Sequence, residues 1–173
     1  MAANGIVMSK LCYLIQLWGG CEGYLQHALQ VVQNQAARAV TGRSWFAPTR
    51  VLLKACNWLS VKQLIEYHTL IMPHKITMTR NPYYLKNKFS TDFYYRTRQV
   101  ATGSIWPLNT PQATHNFSHN SFSHRAIWSY NALTPNIRSA QSMNIFKTKL
   151  RTWVKANVAI DWRIWKIDIN EIL

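Results

Sequence analysis

In residues 25–40 the apolar side chains fall at Leu25, Ala28, Leu29, Val32, Ala36, Ala39 and Val40. Steps of three and four place such positions on one side of a helix but scatter them over both faces of a strand. Gln26, Gln30, Gln33 and Arg38 are among the polar positions. The segment is therefore expected to be an amphipathic helix that buries its Leu29, Val32 and Ala36 side. Gly42 follows as a stop, because glycine enters the left-handed conformation that ends many helices. A helix of this length draws most of its stability from packing, so the rest of the chain must supply partners.

The rest of the chain does carry helix signals. Residues 6–18 form an apolar run interrupted by Ser9, Lys10 and Gln16, read as a core helix stopped by Gly19-Gly20. Pro48 suits the first turn of a short helix reaching about Cys56. Ser60-Val61-Lys62-Gln63 has the form of a capping box, with Leu59 and Leu64 placed as a hydrophobic staple. That helix is expected to reach about Met72, where Pro73 kinks or ends it. Two more helices are expected over residues 123–133 and 142–154. Ahead of these two, residues 80–120 are rich in Asn, Pro, Thr, Ser, His and Gly and hold no period, with short extended pieces expected at 93–95 and 99–102.

The fold class is thus mainly α: a helical, bundle-like domain over residues 1–154 with a long irregular segment at about 80–120. The expected core comprises Trp18, Leu29, Val32, Ala36, Trp58, Leu64, Trp128, Phe146, Leu150 and Trp153. At 173 residues with 48% hydrophobic content, the chain can bury such a core. Residues 155–173 form an unassigned aromatic and apolar tail. Its alternation of Ile160, Trp162, Ile164, Trp165, Ile167 and Ile169 fits a strand, an amphipathic helix or an interaction patch.

Charge points to a class of partner. Twenty Lys and Arg against six Asp and Glu give a formal +14, and no acid lies between Asp92 and Asp161. A field of one sign attracts polyanions, chiefly nucleic acid or an anionic membrane surface. In the helix after Ser142, Lys147, Arg151 and Lys155 recur every four residues and form a basic stripe beside the apolar side of Phe146, Leu150, Trp153 and Val154. Arg138 could extend the stripe, and Arg96 and Arg98 form a second basic pair. Like charges at this spacing repel by a few tenths of a kcal/mol, which an anionic partner would relieve. These six residues are the candidate nucleic-acid contacts, for RNA or single-stranded DNA.

Catalytic constellations are missing from the sequence. The aspartates are Asp92, Asp161 and Asp168, none adjacent, and Glu22, Glu66 and Glu171 complete the acids. Two-metal phosphoryl transfer needs converging carboxylates, which this distribution does not offer. His115, His119 and His124 lie in a Ser/Asn-rich stretch without a Cys or carboxylate as fourth zinc ligand, and they are read as a solvated loop. Cys56 with His68 has no third group to orient it as a nucleophile and base. No catalytic residue, metal, cofactor or small-molecule substrate is expected. Cys12, Cys21 and Cys56 are odd in number and widely spaced, as in a reduced intracellular protein, and the 6–18 run is too short to span a bilayer.

The order of several short segments resembles a known family. Tyr13 leading to Trp18-Gly19, Leu29 before Gln33-Asn34-Gln35-Ala36-Ala37-Arg38, and Pro48-Thr49 with Leu52-Leu53 before Trp58-Leu59-Ser60-Val61 come first. Pro82-Tyr83-Tyr84-Leu85 and Arg96-Thr97-Arg98 follow. Phe122, Arg125-Ala126, Asn131, Leu133, Ile137-Arg138, Ser142, Phe146-Lys147 and Leu150 close the series. Over residues 11–154 this order resembles the region after the palm in non-long-terminal-repeat retrotransposon reverse transcriptases. Tyr130-Asn131-Ala132-Leu133-Thr134-Pro135 departs from the family's Trp-Asn-x-Leu-Pro, with the proline one place late. The resemblance implies a thumb-like helical region that holds template and primer. It implies a detached C-terminal piece of an RNA-directed DNA polymerase without the palm's Asp-Asp pair, hence no polymerase activity. Two other readings stay open: a structural relic with no selected function, and a basic protein-interaction or membrane-surface module.

Overall fold

The computed structural model describes residues 4–90, 108–110 and 121–157. The expected extended pieces at 93–95 and 99–102, Arg96 and Arg98, His115 and His119, and the tail from Ile160 lie outside the described residues. Among the described residues the structure is helical, with no strand. A π-helical turn, Asn4–Met8, leads to α1 (Ser9–Cys12), α2 (Ile15–Trp18), α3 (Gly23–Thr41), α4 (Thr49–Cys56) and α5 (Val61–Thr79). Then come α6 (Tyr83–Lys86), a 3₁₀ turn (Asn87–Phe89), α7 (Phe122–Asn131), α8 (Pro135–Arg138) and α9 (Met143–Ala156). The chain divides into two compact units, Met1–His68 and Thr69–Leu173.

In the first unit, residues 6–18 are not one helix. Leu14 takes a left-handed conformation, φ 48°, and separates α1 from α2. The Trp18 indole Nε1 donates to the Tyr13 carbonyl at 2.8 Å, satisfying an acceptor at the break. Gly19 is required for proximity. A Cβ there would lie 2.6 Å from the Ile15 carbonyl oxygen and 2.8 Å from Ile65 Cγ2, so only glycine lets α2 and α5 approach. Gly42 ends α3 with φ 62°, as expected from sequence.

The capping box at α5 forms in both directions. The Gln63 amide donates to Ser60 Oγ at 3.3 Å, and the Ser60 amide donates to Gln63 Oε1 at 3.1 Å. Leu59 and Leu64 join Ile15, Val61 and Ile65 in one buried cluster, against which Trp18 and Leu29 pack half-buried. Ala37, Leu52, Leu53 and Trp58 form a second cluster in the same unit.

The buried side of α3 differs from expectation. Val32 is 53% exposed, while Gln33, Asn34 and Ala37 are the buried residues. Gln33 Nε2 donates to the Leu59 carbonyl at 2.8 Å, and Asn34 Nδ2 donates to Thr49 Oγ1 at 2.8 Å. Gln30 Nε2 donates to Gln33 Oε1 and Asn34 Oδ1, both at 2.9 Å, and Gln30 Oε1 accepts from the Val61 amide at 2.9 Å. Three amide side chains thus connect α3 to the starts of α4 and α5. Burial is centred on these hydrogen bonds, with Leu29 and Ala36 half-buried at its edge and Val32 left outside.

In the second unit, α5 runs through Pro73 to Thr79 instead of ending near Met72. Proline deletes one hydrogen bond to the residue four back. Leu70, His74 and Ile76, all buried, hold the helix on both sides of that defect. The His74 ring stacks on Phe146, centroids 3.6 Å apart and planes within 8°, and its Nδ1 shares a 3.1 Å hydrogen bond with the Tyr130 hydroxyl. Residues 83–89 are helical, so the expected irregular segment begins with ordered turns. Asn131, the last residue of α7, accepts from the Leu108 amide and donates to its carbonyl, both at 2.8 Å. The late Pro135 sits in the first turn of α8, with Thr134 as its N-cap, where a missing N–H does no harm. Trp128 is 39% exposed and its indole donates to His124 Nε2 at 3.0 Å, so it lies at the edge of the core.

Candidate nucleic-acid interface

α9 is a well-specified helix. Ser142 caps it, its hydroxyl accepting from the Ile145 amide at 3.3 Å, and Lys155 in the last turn complements the helix dipole. Phe146, Leu150 and Val154 form its buried row. Lys147, Arg151 and Lys155 each lie one residue further on, about 100° around the axis. Lys147 and Lys155 are exposed and Arg151 is half-buried. Each step of four residues rises about 6 Å, so the three cations span about 12 Å along one flank.

Arg138 ends α8 and is half-buried. Burial raises the Tyr130 phenol pKa, while a Thr77 side-chain hydrogen bond and the Arg138 charge oppose that rise. Lys149, on the other flank of α9, donates to the Asn136 carbonyl at 3.0 Å and to Asn136 Oδ1 at 2.7 Å, tying α9 to α8. The structure therefore describes four of the six candidate contacts and places Lys147, Arg151 and Lys155 in one row.

The surroundings of that row are cationic. The described part of the second unit has ten Lys and Arg and no Asp or Glu. Sequence reading by periodicity missed Tyr83 and Tyr84, both exposed on α6 close in sequence to Arg80, Lys86 and Lys88. The signal available was aromatic residues interleaved with cations.

His124 is a buried member of α7, its Nε2 accepting from Trp128, rather than part of a solvated loop. All three cysteines are free thiols, and desolvation pushes Cys12 and Cys56 above their ordinary values, away from the thiolate a nucleophile needs. Among the described residues no helix is long and apolar enough to cross a membrane. Compared with protein-family models, curated proteins and solved structures, the chain gives no match.

Proposed function

We propose that this chain is a helical module of reverse-transcriptase-like, post-palm type, whose capacity is sequence-independent binding of RNA or single-stranded DNA without polymerisation. The observation that carries the reading is the Lys147–Arg151–Lys155 row in a part of the protein whose described residues hold no acid. Phosphates would lie along the flank of α9, neutralised successively by the three cations, with release of condensed counterions. Residues that carry the resemblance also do structural work: Gln33 and Asn34 fasten α3, and Asn131 fastens Leu108. Shared landmarks of a fold would behave this way.

Binding of a labelled single-stranded RNA across a salt series tests the reading. Log affinity should fall with log salt by about 0.7 per phosphate contacted. Changing Lys147, Arg151 and Lys155 together to Gln should flatten that slope by about two units without altering base preference. An unchanged slope in a variant that still folds would move the contacts elsewhere, to Arg96 and Arg98 first. Absence of any salt-dependent binding by the wild-type chain would refute the function.

A further inference from the structure

We propose that the turn between α3 and α4 is a second, distinct site, one that stacks unpaired nucleic-acid bases on Trp45 and Phe46. It rests on the reading of the chain as a nucleic-acid binder and adds what the α9 row cannot supply, contact with bases.

The turn runs from Ser44 to Ala47, closed by the Ala47 amide donating to the Ser44 carbonyl at 3.0 Å. Trp45 and Phe46 are its two central residues, where Gly, Asn, Asp, Pro or Ser usually sit. They are 66% and 91% exposed. Two large aromatic side chains at the tip of a turn contribute little to folding through burial. The backbone on either side of them is nonetheless anchored. Gly42 turns the chain out of α3 through its left-handed conformation, and Asn34 holds Thr49 at the start of α4.

Trp45 already carries one cation. The Arg38 guanidinium carbon lies 4.8 Å from the indole centroid, a cation–π contact over one face of the ring. The high exposure of Trp45 leaves the opposite face available to a flat partner. Arg43 and Arg50, both exposed, bracket the aromatic pair in sequence, and no acid occurs between Glu22 and Glu66. Aromatic faces beside guanidinium groups suit a single strand, whose bases stack while its phosphates meet the cations. A bilayer suits the site less well, because inserting Trp45 would carry the Arg38 charge toward hydrocarbon or require breaking the cation–π contact.

The test compares three ligands of equal length: an intact single-stranded oligonucleotide, an abasic strand with the same phosphates, and a duplex. Wild-type protein should bind the intact strand more tightly than the abasic one by roughly five-fold or more per base stacked. In Trp45→Leu/Phe46→Leu that preference should disappear, with the salt slope and the thermal transition unchanged. Intrinsic fluorescence gives an independent reading, since Trp45→Phe should lose part of the quenching that the intact strand produces. Equal wild-type affinity for intact and abasic strands would overturn the stacking site while leaving the α9 reading standing. A preference retained in the Leu/Leu variant would also overturn it. Binding to anionic but not neutral vesicles, with no base preference, would reassign the turn to a membrane. Failure to bind any strand would refute the underlying function and this site together.

Discussion

His74 should make this protein sensitive to mild acid. It is 2% exposed, stacked on Phe146 and hydrogen-bonded at Nδ1 to Tyr130, and its Nε2 has no hydrogen-bond partner among the described residues. Desolvation lowers its pKa from 6.5 to about 4. Between those values the unfolded chain binds the proton and the folded chain does not, so stability falls as pH drops through that window. The contribution is fully present above about pH 6.5. By linkage, the loss reaches about 2 kcal/mol at pH 5 and about 3 kcal/mol at pH 4, and it levels off below that, where both states are protonated. The informative quantity is a difference between two proteins that share every other titratable group. Denaturant unfolding of the wild type and of His74→Leu should be followed from pH 7 to pH 4. His74→Leu loses the Tyr130 hydrogen bond at every pH, but the gap between the two proteins should shift in its favour by about 3 kcal/mol across the range. Parallel stability curves would show that His74 titrates normally and that its burial is overcome in solution.

Core truncations should separate the two kinds of position found on the helices. Leu150→Ala removes a fully buried side chain and should cost about 2–5 kcal/mol in denaturant unfolding. Val32→Ala, on the exposed side of α3, should stay within about 0.5 kcal/mol, and a large loss there would restore the sequence-based face. Gln33→Leu should destabilise by about 1–3 kcal/mol, because it strands the buried carbonyl of Leu59. A Gln33→Leu protein as stable as wild type would mean that water or rearrangement satisfies that carbonyl. The purified chain should extend no primer on an RNA template with Mg²⁺ or Mn²⁺, since no two of its aspartates are adjacent. Incorporation that persists after removal of contaminating polymerases would contradict this.

Local signals in the sequence determine where α5 and α9 start and where α3 stops. Ser60 with Gln63, Ser142 and Gly42 act within one turn of their own position, so a linear reading finds them. The basic row of α9 is legible for the same reason: it depends only on a four-residue spacing next to the buried row. Tertiary structure decided the remainder. The apolar pattern of α3 placed Leu29 and Ala36 against the core but misplaced Val32, because Gln30, Gln33 and Asn34 find partners at Leu59, Thr49 and Val61, far away in sequence, and turn the helix toward them. Pro73 does not end α5, because burial of Leu70, His74 and Ile76 outweighs one lost hydrogen bond. Nor does any periodicity mark Trp45 and Phe46. Only the fold shows that they crown a turn, with Arg38 on one indole face, because that contact needs both the end of α3 and the turn beyond it.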